Sequence, residues 1–437
     1  MTTREQAIDA AHRWINGDLP QEAARPVQSY EFDLGWVLWP APAPVQVDPL
    51  TGARRAPEEI GAACAVVDRA TGELSVWPSV PVAEVVRLYR DKLGAGLYEP
   101  ALPPVTGPGV RAELTYRDEF GEPQTLVLHS AAGRPHPALR AWRQLEQQGV
   151  RAQDVVAVHT DLSLAMLPGG YAAQALAEEL PSARFSHELR YGPYFDHRAA
   201  AVRELVARIP AAGPDGRHAA PRPNRVPFPT AVPPALPETA QVLAARLAER
   251  FGPEGAQRFE EGEVLAADLP DSVAVPLLDI GLPTAVEGYF TLHRPVADGV
   301  LDGSRAESVL PDATAWLDGL GRGLRATGDA RRNLLGQRLV GTDGWALITV
   351  DTARGRVRAI DPDTATARHC NADLTAFVRC LTLLAEYLPR LRDLPPYAAG
   401  PVVAELQWGL AGLDRTVFTD PENWWAVVLE QLWQGVL

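Results

Sequence analysis

The stretch VVAVHTDLSLAMLPGGYAAQALAEELPSARFS, residues 155–186, has the layout of a catalytic junction. An apolar run at 155–158 stops at a turn rich in Pro and Gly, and the chain then restarts as a helix. Two thiolates at such a junction, with a histidine and a glutamate at an earlier helix start, would hold Zn2+ and activate a bound water. The glutamate would shuttle the proton from that water to a nucleobase. The pattern required is H-x-E followed by P-C-x-x-C, or by a wider pair of cysteines. This stretch contains no cysteine. His136 is followed by Pro137 and Ala138, so the carboxylate is also absent; His129, followed by Ser130 and Ala131, has the same deficit.

Other polar groupings are weaker. His159 stands beside Thr160 and Asp161 at a strand end and reads as a satisfied structural histidine. Asp196 and His197, within YGPYFDHRAA, read as a loop leading into a helix. Ser304 lies in GVLDGSRAES without a G-x-S-x-G elbow. GLGRGLRATG, residues 319–328, lacks the G-K-[ST] ending of a phosphate loop. DPDTAT, residues 361–366, lacks the twelve-residue calcium pattern and reads as a hairpin turn. Trp424, Trp425 and Trp433 recur at helical spacing, which favours core over a docking anchor.

The elements that position these residues are legible from periodicity. Residues 1–97 read as a small α+β domain: a helix carrying Ala7, Ala11 and Trp14, a strand SYEFDLGWVLWP, two strands in CAVVDRATGELSVWP, and the helix VAEVVRLYRDKL. Residues 110–208 read as β-β-α-β-α-β, opening with a hairpin that turns at 120–122. Gly149 is placed to end their first helix. Residues 238–437 read as a helix, short strands, a late helix with an apolar stripe (Leu374, Phe377, Val378, Leu381, Leu384) and a last amphipathic helix. Asn371 is the expected cap of the striped helix, and Asp420 with Pro421 that of the last. Proline-rich stretches at 98–110 and 209–237 read as linkers. The fold class is therefore α+β and multidomain.

Composition narrows the function. A net charge of −14 argues against general affinity for nucleic acid or anionic membrane, and most of the acid excess falls in the C-terminal half. Cys64, Cys370 and Cys380 match neither a disulfide framework nor a zinc template and are expected as buried thiols. With no readable secretory signal and no apolar run long enough to span a bilayer, a cytoplasmic protein is expected.

Three resemblances follow. The residues RWING, EFDLGWVLWP, DPLTGARRAPEEIGAACAVVDRATGELSVWPS and VVRLYR make the first segment similar to the YrhB-like bacterial immunity proteins. The middle segment, through its element order and the phrase from Thr160 to Ser186, resembles the toxin branch of the cytidine deaminase-like fold, which implies a three-layer α/β domain. That likeness puts the family's cysteines near Ala165 and Ala172. The degenerate positions are then His136, Ala138, Ala165 and Ala172, and the likeness implies no catalysis, no metal and no cofactor. LLDIGLPTAVEGYFTL, LLGQRLVGTDGWALITVDTARGRVRAIDPDT and HCNADLTAFVRCLTLL make the third segment resemble the fourth subgroup of the SUKH immunity superfamily. Together these imply a non-enzymatic immunity protein or antitoxin. Its partner would be a protein toxin of nuclease or deaminase class, whose basic cleft an acidic surface fits. A scaffold of a bacterial conflict system and a divergent deaminase are the alternatives.

Overall fold

The computed structural model describes residues 2–17, 19–20, 24–41, 46–47, 54–55, 64–92, 103–208, 223–230, 232–293, 309–319 and 328–437, and divides the chain into two units, Met1–Ala101 and Leu102–Leu437. In the first unit α1 (Arg4–Asn16) starts at a capping box: Thr3 Oγ1 accepts from the Gln6 amide, and Gln6 Oε1 accepts from the Thr3 amide. The aromatic stretch expected as one strand is a hairpin. β1 (Val27–Phe32) turns back at Asp33 and Leu34 into β2 (Gly35–Pro40), with Phe32 opposite Gly35. With β3 (Cys64–Asp68) and β4 (Leu74–Trp77) they form an antiparallel sheet in the order β1-β2-β3-β4. Both faces are covered, as the two-residue period of β2 requires. Trp36 and Leu38 pack with Ala7 and Ala11 of α1, while Val37 packs with Val85, Val86 and Tyr89 of α2 (Val82–Lys92).

The second unit contains both the middle and the third segments. Strands β5 (Arg111–Arg117) and β6 (Pro123–His129) form the expected hairpin, followed by α3 (Pro137–Gln147), β7 (Val155–Leu162), α4 (Ala172–Glu179), β8 (Arg184–Leu189) and α5 (Phe195–Ala207). Their sheet runs β8-β7-β5-β6, with β7 and β8 parallel. Leu114, Val158, Leu139, Trp142 and Leu176 build the core between this sheet and helices α3 and α4. Gly149, at φ +86°, follows the end of α3 in the left-handed region glycine favours.

The third segment supplies α6 (Ala240–Phe251), α7 (Asp271–Asp279) and an antiparallel sheet of β9 (Ala285–Val286), β10 (Phe290–Leu292), β11 (Gln337–Thr342), β12 (Leu347–Asp351), β13 (Val357–Ile360) and β14 (Ala367–Asn371), paired in chain order. The 361–366 stretch is the hairpin turn between β13 and β14. α8 (Leu374–Leu391) lays its stripe across this sheet, with Phe377 edge-on to Phe290 at 5.5 Å. α9 (Pro396–Leu413) and α10 (Trp424–Gln434) complete the core.

Several expectations change here. α8 is capped by Asp373, whose Oδ1 accepts from the Ala376 amide; Asn371 is instead buried and donates to Asp414 Oδ2 at 2.9 Å. α10 begins after Asn423, while Asp420 accepts from the Glu422 amide in the preceding turn. The last helix is not amphipathic: every residue from Trp424 to Gln434 is buried, as in a helix enclosed on all sides. Asp196 and His197 lie in the first turn of α5 rather than in a loop, with His197 exposed.

The described parts of the two proline-rich stretches are packed rather than free. The Gly107 amide donates to Trp433 O at 2.6 Å, and a Cβ on Gly400 would lie 2.0 Å from Pro104 O. Phe228 stacks on Phe418 at 4.5 Å, and Gln407 Nε2 donates to Pro227 O at 2.8 Å. Residues 304 and 320–327, where the serine and glycine-rich motifs were noted, lie outside the described residues.

Candidate functional site

His136, Ala165 and Ala172, far apart in sequence, line one cavity of about 20 Å3, room for a single water. Each is placed by an element terminus. His136 is the N-cap of α3: its Nδ1 accepts from the Ala138 amide at 3.2 Å, and Pro137 supplies the preset φ of the first turn. Ala138 is fully buried. Ala172 opens α4, and Ala165 sits on the loop after β7. Burial lowers the His136 pKa to about 4, so its imidazole is neutral near pH 7.

The loop between β7 and α4 takes backbone shapes that few residues tolerate. Gly169 and Gly170 have φ of +101° and +123°, and Tyr171, a bulky residue, has φ of +45°. Tyr171 is held there by its buried phenol, which donates to Asp343 Oδ2 at 2.8 Å. Glycine at 169 is also a steric requirement, since a Cβ would lie 2.3 Å from Leu437 Cδ1. Val436 and Leu437 line the cavity beside His136 and Ala172, and Gln431 Nε2 donates to Pro168 O at 2.6 Å.

The donors do not make a zinc site. Among the described lining residues only His136 offers an imidazole, with Nδ1 already engaged, and no Cys, Asp or Glu faces the cavity. More widely, no three His, Cys, Asp or Glu side chains converge among the described residues. The three cysteines are buried and unpaired. His159 lies on the other face of its strand, with Nδ1 3.0 Å from Ser186 Oγ and Nε2 3.8 Å from Glu188 Oε1. Asp161 accepts from the Arg111 amide.

Sequence reasoning missed the groups that close the site. Arg198, wholly buried on α5, donates from Nε to Glu430 Oε2 at 2.9 Å and from Nη1 to Pro193 O at 2.6 Å. Glu422 joins them, with an oxygen 3.3 Å from Arg198 Nη2 and another 2.5 Å from Arg368 Nη1. The Tyr191 phenol donates to Gln434 Oε1 at 2.5 Å. On the opposite side of α10, the indoles of Trp424, Trp425 and Trp433 donate to Asp343, Asn371 and Gln407. The one hint in the sequence was a lone charged residue, Glu430, in a helix whose other polar residues are Gln431 and Gln434.

Asp343 is the most perturbed carboxyl of this junction. Burial raises its pKa to about 6, against hydrogen bonds donated by Trp424, Tyr171 and the amides of Trp345 and Ala346. The folded state thus holds this proton more tightly than the unfolded one, whose aspartate titrates near ~3.9. Stability from Asp343 is greatest below about pH 4 and is lost as pH rises through about 6, by on the order of 3 kcal/mol. The unfolding free energy of wild type minus that of Asp343→Asn should therefore fall between these pH values in parallel denaturation series. A difference independent of pH would contradict it.

The fold is that of an α+β multidomain protein, with a strand-to-helix junction enclosed by its own last helix. Three family models match it, and each covers less than half of the chain. Residues 5–96 match the Immunity protein 35-like domain, 107–208 the Xanthomonas-like deaminase, and 242–431 the SUKH-4 immunity protein. No curated protein and no solved structure matches the chain. Among the described residues no helix is long and apolar enough to cross a membrane.

Proposed function

We propose that the chain is a non-enzymatic bacterial immunity protein, an antitoxin that neutralises one or more protein toxins by surface contact. The observation that carries this reading is the pairing of two immunity-domain matches with a deaminase-like segment whose cavity presents methyl groups. Ala138, Ala165 and Ala172 stand where the deaminase likeness calls for a carboxylate and two thiolates, and Leu437 lines the cavity beside Ala165 and Ala172. In this reading residues 1–97, 110–208 and 238–437 are three domains of separate ancestry, and the middle one serves as a packing partner. Toxins acting on nucleic acid carry basic clefts, and the net charge of −14 favours fast, salt-sensitive association with them. Cytoplasmic residence fits that task.

The test is coexpression with the toxins encoded beside the gene. Growth should be rescued, a complex should copurify, and its association rate should fall as salt rises. The purified protein should contain no stoichiometric zinc and should leave cytidine, adenosine and single-stranded DNA unchanged. Zinc bound one to one, or turnover that Ala165→Val abolishes, would establish the deaminase alternative. A failure to protect against every neighbouring toxin would favour a scaffold.

A further inference from the structure

Among the described residues the strand β6 ends its sheet with a main-chain edge that no strand covers, and the geometry points to a second copy of this chain as its occupant. Natural sheets protect open edges with charge, proline or bulges. The opposite edge, β8, carries Arg184 and Glu188, whereas β6 reads Pro-Gln-Thr-Leu-Val-Leu-His, with no acid, lysine or arginine and with its one proline confined to the first residue. Val127 is 38% exposed, and Leu126 and Leu128 are only half covered by the core beneath them.

Which groups face outward follows from the two ends of the hairpin. The Asp118 amide donates to Glu122 O, and the Ser130 amide to Val110 O. Bonded and non-bonded pairs alternate between these points, so Gln124, Leu126 and Leu128 bond β5, while Pro123, Thr125, Val127 and His129 turn their main chain outward. Two of these outward residues are incomplete in complementary ways. Pro123 has no N–H, and the His129 carbonyl already accepts from Arg140 Nη1 at 3.1 Å.

An antiparallel pairing about a two-fold axis at Leu126 sets Thr125 against the second copy's Val127 and Pro123 against its His129. There the His129 amide donates to the Pro123 carbonyl, and the bond Pro123 cannot make is the one His129 does not need. Leu126 meets its own copy on the helix-covered side, enlarging that core. The same register brings the acidic turn of one copy, with Asp118, Glu119 and Glu122, towards the end of the strand where the other carries Arg140, whose Nη1 donates to His129 O, while Arg134 nearby is already paired with Asp393. This charge complementarity is what brings together two molecules that otherwise repel at −14 each.

Sedimentation of the full chain from low to high micromolar concentration tests the assignment. Wild type should form a dimer. Val127→Pro removes an outward N–H without touching the β5 ladder, so circular dichroism should be unchanged while self-association weakens roughly ten- to a hundredfold. Val127→Lys should weaken it as well, by adding an edge charge. A protein monomeric throughout the range, or a dimer that neither variant weakens, overturns the assignment. So does a monomer whose edge takes up a toxin strand in a Val127→Pro-sensitive way.

Discussion

Replacing Arg198 by Met should destabilise the second unit by about 3–5 kcal/mol, measured by denaturant unfolding, because Glu430 is left charged and buried without its cation. Arg198 is wholly buried and Glu430 is 1% exposed. Gln434 Nε2 still donates to Glu430 at 2.8 Å, but one neutral donor does not replace a guanidinium. The double variant Arg198→Met, Glu430→Leu should recover most of the loss, since both desolvation costs vanish and apolar packing takes their place. If the double variant is as unstable as the single, the ion pair is not what holds α5 to α10.

Trp433→Ala should cost about 3–5 kcal/mol, combining an aromatic-sized cavity with the loss of a buried hydrogen bond to Gln407 Oε1. Trp433→Phe isolates the second part, at about 1–3 kcal/mol, because Gln407 then keeps a buried oxygen without its donor. Gln407 also donates to Pro227 O, so both variants should speed protease cleavage near 223–230. Cleavage rates equal to those of wild type would show that this stretch is held instead by Phe228 on Phe418 and by the main-chain bridge between Asn224 and Val105.

The regular periods carried much of the fold. The 111–129 hairpin, the stripe on α8 and the buried Trp424, Trp425 and Trp433 were readable because alternation and 3.6-residue spacing report burial directly. Choices between neighbouring polar residues were not. Asn371 and Asp373 both precede α8, and what separates them is Asp414, which takes the Asn371 amide from forty-three residues away. The polar residues of α10 suggested a wet face because Arg198, Pro168 and Tyr191, which satisfy them, come from a different segment. Asp343 closes a hairpin turn by accepting from the Ala346 amide, but its other oxygen reaches Tyr171 in a different segment, a contact no local pattern reports. The missing donors at 138, 165 and 172 were legible as residue types; the convergence of His136, Ala165 and Ala172 on a cavity lined by Leu437 was not.

The enclosure of α10 also has a temporal side. A ribosome moving at about 5–20 residues per second releases the 424–434 segment roughly ten to fifty seconds after Tyr191, a buried residue that bonds it. Until then the apolar side chains around Leu162, Leu189 and Tyr191 have only Ala201, Val202 and Leu205 of α5 against them and lack Val427 and Val436, so nascent chains of this protein should engage holdase chaperones through the part of that surface α10 covers.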